Sequence, residues 1–139
     1  MTDYWRSYSI EELADEIKRN PLTEETVIYF LKNNVTSIGF YPFRGANIIP
    51  ITDDKVNIGI GLQYPEEERK IALIHEIGHG LYRAGTAENK RIQTEEQFNL
   101  FESLIEKEAQ RFYTEHKAFV EKIHSQCLEN YREKNPTKI

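Results

Sequence analysis

The stretch that decides the fold lies at residues 73–80 and reads Leu-Ile-His-Glu-Ile-Gly-His-Gly. Its two histidines, His75 and His79, are four residues apart. On an α-helix that spacing separates side chains by about 40° around the axis, so both imidazoles project from one face and can bind one cation. Neutral imidazole nitrogens suit Zn²⁺. Glu76 follows the first histidine directly, which places it beside the cation, where it can take a proton from water and deliver it to a leaving amine.

The pattern His-Glu-x-x-His is the signature of zinc peptidases. Apolar neighbours predict that this helix is buried: Ile71, Leu73, Ile74, Ile77 and Leu81. Two histidines and a glutamate facing one another in a buried helix are costly without a ligand or a proton network. The alternative is a hydrogen-bonded histidine pair with no metal. Gly78 and Gly80 each weaken the helix by about 1 kcal/mol relative to alanine, which indicates a close approach by another group.

A catalytic zinc site needs a third protein ligand and keeps one position open for water. The candidates are Glu102, Glu106 and Glu108, on a helix predicted over residues 94–132. Glu108 projects about 160° away from Glu106, so these two cannot serve the same site. Glu102 and Glu106 lie one turn apart on the same flank, and helix geometry leaves them tied. His116 falls within the apolar stripe and is expected to be packed or hydrogen bonded.

The sequence on either side of this stretch predicts that residues 1–139 form a single small α+β domain. Ser9 and Thr23 are predicted to begin two short helices, and Pro50 hints at an edge position or an early end for the second of three β-rich runs. The strand just before the metal helix is expected to be an edge that can pair with an extended substrate. The predicted segments are N-terminal helices at 1–34, a three-stranded sheet at 35–64, the metal-binding helix at 65–84 and a helical segment at 94–132. The strands of the sheet are predicted at 35–41, 47–51 and 55–61. The segment at 94–132 is expected to form one long helix or two nearly collinear ones.

Composition narrows the class of protein. Hydrophobic residues make up 39% of the chain and charged residues 29%, which excludes a wholly disordered chain. The net charge of −5 argues against direct nucleic-acid binding through bulk positive charge. A lone cysteine, Cys127, cannot form an intramolecular disulfide. No signal peptide is visible and no apolar run approaches the ~20 residues of a membrane span, so a cytoplasmic protein is expected.

Two segments resemble one known family. His-Glu-Ile-Gly-His at residues 75–79 resembles the H-E-[LI]-[GS]-H helix of the ImmA/IrrE metallopeptidases, and Glu-Lys-Glu-Ala-Gln-Arg-Phe at 106–112 resembles that family's downstream E-x-E-A-N-x-F helix. The resemblance implies a small zincin-like domain, a gluzincin-like zinc site with Glu106 as third ligand, and Glu76 as the catalytic base. It also implies cleavage of a helix-turn-helix repressor that controls a phage, a mobile element or a stress response. Gln110 stands where the family usually has asparagine.

Three functions remain open from the sequence. The leading one is a zinc-dependent endopeptidase cutting a specific intracellular protein. The second is a metal-stabilised binding protein that sequesters a repressor without hydrolysing it, and the third is a metal-dependent hydrolase acting on non-peptide bonds. Glu76 favours catalysis, because a purely structural site needs no base. Three residues are candidates to contact the oxyanion or the substrate: Arg44, Tyr82 and Tyr113.

Overall fold

Five helices and a three-stranded mixed sheet make up the described part of the chain, residues 9–83 and 94–136 of a computed structural model. This confirms the predicted α+β class. Residues 84–93, where the metal-binding helix was predicted to end before the long helix begins, lie outside the described residues. The elements are α1 (Ile10–Arg19), α2 (Glu24–Asn33), β1 (Val35–Tyr41), β2 (Ala46–Pro50), β3 (Val56–Gly61), α3 (Glu66–Tyr82), α4 (Glu95–Glu115) and α5 (Lys117–Lys134).

Side-chain caps begin three of these helices. The Ser9 hydroxyl accepts the backbone N–H of Glu12 at 3.1 Å and starts α1, as predicted. Thr23 starts α2, also as predicted, and Thr94 starts α4; both form capping boxes with the residue three positions on. Such caps satisfy N–H groups that the first helical turn leaves without a partner.

The sheet has the strand order β1-β3-β2, so β3 is the central strand. It pairs in parallel with β1 and antiparallel with β2. The prediction that this strand is an edge is therefore wrong. Val56, Ile58 and Ile60 are each at most 2% exposed, and such an apolar strand is most stable between two others. The edge position expected for the strand with Pro50 is confirmed, because β2 has β3 as its only partner among the described strands.

The helix that carries the two histidines runs through the core. α3 packs on the sheet and along α4. Leu73, Ile74 and Ile77 are fully buried, which confirms the burial predicted from the apolar flanks. The site therefore lies on a rigid element, enclosed on one side by α4.

The C-terminal segment forms two helices, so the prediction of a single long helix is wrong and two helices, the other alternative, are present. α4 and α5 meet at His116, whose φ of −130° and ψ of 41° are not helical. The break lets α4 follow α3 while α5 packs against β1 and α3. His116 stacks on Phe112, with 4.5 Å between ring centroids, and its Nδ1 lies 2.8 Å from a carboxylate oxygen of Glu24. This is the packed and hydrogen-bonded role expected for it.

Candidate metal centre

His75 and His79 face α4 from the second half of α3. Their Nε2 atoms lie 2.9 Å apart, and His79 is only 2% exposed. The helix begins after Pro65 with three glutamates in its first turn, and it ends at Arg83 in the left-handed conformation with a φ of 55°. The i, i+4 spacing thus brings both imidazoles to one point, as predicted from the sequence.

Glu102 on α4 completes a three-residue cluster. Its Oε2 lies 2.9 Å from Nε2 of His75, and its Oε1 lies 3.0 Å from Nε2 of His79. One ligand atom from each of the three residues falls within 4.8 Å of the others. Zinc ligands at ~2.0–2.1 Å in a tetrahedral site lie roughly 3.3 Å from one another. Two imidazoles and a carboxylate at this separation could hold a metal ion after a small expansion.

Glu106 contacts the opposite nitrogen of the same ring. Nδ1 of His75 lies 2.6 Å from Oε1 of Glu106, and the Gln110 amide donates to Oε2 at 2.6 Å. A carboxylate in that position orients the ring and favours a proton on Nδ1, so Nε2 is the nitrogen that would bind a metal. The structure therefore distinguishes Glu102 from Glu106, which helix geometry alone could not do. Glu106 as third ligand stays a prediction, and the arrangement favours Glu102.

Glu108 points away from this cluster, as predicted. It is buried at the link between α1 and α2, where its Oε2 accepts the backbone N–H of Leu22 at 2.7 Å. Arg111 pairs with the same carboxylate at 2.6 Å and also donates to the Leu22 carbonyl at 2.9 Å. The role of Glu108 is to tie α4 to the N-terminal helices.

The cluster carries charges of both signs. Burial lowers the pKa of His75, but its hydrogen bonds to the carboxylates of Glu102 and Glu106 outweigh this effect and raise that pKa to about 10. Burial raises the pKa of Glu102, but hydrogen bonds from His75 and His79 outweigh it and hold that pKa at about 2. Glu76 differs, since burial raises the pKa of its carboxyl and the two histidines only partly oppose the shift. A carboxylate with a raised pKa is the better proton acceptor.

A cleft of about 530 Å³ opens beside His75 and Glu76. Its lining residues include Arg44, one of the three predicted candidates for substrate contact, and Tyr64, which the sequence reasoning missed. The Arg44 guanidinium lies 5.7 Å from the centre of the Tyr64 ring. Burial and the charge of Glu76 raise the pKa of the Tyr64 phenol, so it stays protonated and can donate a hydrogen bond. Its place in the sequence could have identified Tyr64, because it directly precedes Pro65, the residue at which α3 begins.

Two predicted cleft residues lie elsewhere. The Tyr82 hydroxyl donates to the backbone carbonyl of Asn20 at 2.7 Å and so joins α3 to the end of α1. Tyr113 is 5% exposed and is part of the hydrophobic core. Neither lines the cleft, so neither is placed to contact a substrate there.

Comparisons with family models, curated proteins and solved structures find no match to this chain. The likeness to the ImmA/IrrE metallopeptidases therefore rests on the two short motifs alone. No helix in the described residues is long and apolar enough to cross a membrane.

Proposed function

We propose that the protein is a zinc-dependent metalloendopeptidase with a zincin-like catalytic domain. The observation that carries this proposal is the convergence of both Nε2 atoms on one carboxylate, that of Glu102, beside the buried Glu76 and an open cleft. His75, His79 and Glu102 would hold the ion. A structural zinc site is usually closed by four protein ligands, whereas three ligands beside a cleft are typical of a catalytic site.

Each residue around the cleft is proposed to have a separate role in hydrolysis. A bound zinc ion would supply Lewis-acid polarisation of the scissile carbonyl. Glu76 accepts the proton of the attacking water and passes it to the leaving amine. Glu106 keeps the His75 ring in one orientation and one tautomer. Tyr64, with Arg44 beside it, donates a hydrogen bond to the carbonyl oxygen as negative charge develops there.

The substrate is proposed to bind as an extended chain along β2. This strand has a free edge among the described strands, and its first residue, Ala46, lines the cleft. An extended peptide can add to such an edge through main-chain hydrogen bonds. Because β3 is the central strand, it has no unpaired edge for a substrate, and β2 is proposed as the binding strand in its place. From the family resemblance, we propose that the substrate is a helix-turn-helix repressor of a phage, a mobile element or a stress regulon.

The test compares the wild type with Glu76→Gln, using a DNA-binding repressor encoded beside this gene as the substrate. Glutamine cannot accept the water's proton, so we expect turnover to fall by ~10²–10⁴-fold. Zinc content by elemental analysis and repressor affinity should not change. Glu67→Gln, an exposed control in the first turn of the same helix and outside the cleft, should cut at close to the wild-type rate. Intact-mass spectrometry identifies the fragments.

Two outcomes contradict the proposal. Equal cutting by the wild type and Glu76→Gln would remove Glu76 from the mechanism. Equal binding of the repressor by both proteins with no cleavage by either would favour the alternative, a metal-stabilised binding protein that sequesters its partner.

A further inference from the structure

Among the described strands, β1 pairs only with β3, and its other edge lies at the base of a second groove of about 590 Å³. This groove shares no lining residue with the cleft beside His75. Five consecutive residues of the strand, 35–39, line it. Successive side chains in a strand point to opposite faces of the sheet. Consecutive residues can border one cavity only along the edge of the strand, where the backbone N–H and C=O groups are. The groove therefore exposes the edge of β1 that is not paired with β3.

Two helices form the walls of this groove. α2 contributes Ile28 and Leu31, and α5 contributes Ile123 and Tyr131, so both walls offer apolar contacts. The α5 wall also carries the side-chain amide of Gln126. An extended peptide bound at the edge of β1 would place its side chains alternately against these walls.

The charge of the groove is opposite to that of the chain. Its charged lining residues are Lys32 and Lys134, both exposed, and no aspartate or glutamate lines it. The chain as a whole carries a net charge of −5. Two lysines beside an open strand edge therefore favour a ligand with carboxylates.

We propose that this groove binds an extended, acidic segment of a partner protein as an additional strand on β1. Main-chain hydrogen bonds to the strand edge supply the affinity, the apolar walls take alternate side chains, and Lys32 and Lys134 select for acidic residues. The proposal does not depend on the metal centre. It holds for a peptidase that docks a partner outside its cleft and equally for a binding protein.

The experiment starts with a phage-displayed library of random nine-residue peptides, selected against the full-length protein. We expect the enriched peptides to alternate acidic with β-branched or aromatic residues. A synthetic copy should bind at least 10-fold more weakly to Lys32→Glu/Lys134→Glu in a fluorescence anisotropy titration. The matched control, Lys107→Glu/Lys122→Glu, makes the same change in net charge at exposed positions outside the groove and should bind like the wild type.

Two further measurements locate the peptide. N-methylation of alternate peptide nitrogens removes main-chain donors without changing charge, and it should also weaken binding by at least 10-fold. Amide hydrogen exchange should slow at residues 35–39 and stay unchanged at 46–50.

Several results would overturn the proposal: no enriched peptide, enriched peptides without acidic bias, or binding that tolerates the groove variant or N-methylation. Protection on β2 instead of β1 would assign the peptide to the metal cleft. A dimer of the protein that Lys32→Glu/Lys134→Glu dissociates in sedimentation would assign the groove to a second copy of this chain.

Discussion

At the scale of single residues, two carboxylates one helical turn apart bind different nitrogens of the same imidazole. Glu102 lies at Nε2 of His75 and Glu106 at Nδ1. Only the first also reaches His79, because its two oxygens span the pair of Nε2 atoms. The proposed roles of ligand for Glu102 and orienting partner for Glu106 thus rest on which side of the His75 ring each carboxylate reaches.

Substitution of the two glutamates tests this division. Glu102→Gln removes a charged ligand atom, and we expect zinc affinity to fall by more than about 100-fold. Glu106→Gln only weakens the orienting bond to Nδ1, and outer partners of this kind typically contribute 10–100-fold. Competition against a chromophoric chelator measures both affinities, with Glu96→Gln as an exposed control on α4. The reverse ranking would make Glu106 the ligand, as the family resemblance implies.

Tyr64→Phe tests the proposed hydrogen bond to the substrate carbonyl. Loss of one such donor typically lowers kcat by about 10²–10³-fold, because the bond forms fully only in the transition state. KM, zinc content and melting temperature should stay close to wild type. Tyr29→Phe is the control, since Tyr29 is 65% exposed on α2 and does not line the cleft. An unchanged kcat would leave Tyr64 as a packing residue while the peptidase proposal stands.

At the scale of elements, α3 lies unusually close to its neighbours at Gly80. A Cβ added there would overlap the Phe30 ring of α2 and lie 2.9 Å from Cδ1 of Ile48 in β2. Both neighbours are buried and have little room to move. At Gly78 the nearest atom is Cγ2 of Ile105, at 3.2 Å. The close approach that was predicted from these two glycines is therefore tighter at Gly80 than at Gly78.

Alanine substitutions should separate these two glycines. Gly80→Ala should lower the free energy of unfolding by about 1–3 kcal/mol, because overpacking outweighs the gain of ~1 kcal/mol in helix propensity. Gly78→Ala is the matched control and should be near neutral, since a shift of a few tenths of an ångström relieves its contact. Urea unfolding with an unchanged m-value measures both. A Gly80→Ala protein as stable as the wild type would contradict the close packing of α3.

At the scale of the whole molecule, His124 lies where α5, β1 and α3 meet. Its ring packs edge-on against Phe40 of β1, with 5.7 Å between centroids. It is 2% exposed, and its Nε2 has no hydrogen-bond partner among the described residues. Burial and the positive charges of Arg69 and Lys70 lower the pKa of His124 to about 4. The negative charge of Glu66 opposes this shift only in part. The folded protein therefore holds this imidazole neutral.

A neutral buried histidine makes stability depend on pH in a definite direction. Unfolding returns the pKa of His124 to about 6.5, so between that pH and about 4 the unfolded chain binds more protons. The stability that the neutral His124 contributes is thus complete above pH 6.5 and is lost as the pH falls through 4, by roughly 3 kcal/mol. Urea unfolding at each pH should show a smaller decline for His124→Gln, which retains the metal cluster. Parallel curves for the two proteins would contradict the prediction.

Local rules were enough to predict part of this protein. The α+β class, the starts of α1 and α2, and the edge position of the strand with Pro50 follow from caps, periodicity and a missing N–H. The shared face of His75 and His79 follows from helix geometry. The sequence signal for each of these features lies in residues at most a few positions apart, so it can be recognised without knowledge of the long-range contacts.

Other features were decided by tertiary structure. These features are the central position of β3, the break between α4 and α5 at His116, the place of Tyr64 and the separate positions of Glu102 and Glu106. All of them depend on contacts between distant segments. On the α4 helix the two glutamates share one flank, and only the position of the His75 ring, 27 residues from Glu102 in the sequence, distinguishes them. Periodicity gives the direction of a side chain about its own axis. The side chain that it meets is set by how two elements pack, through burial of apolar surface on both.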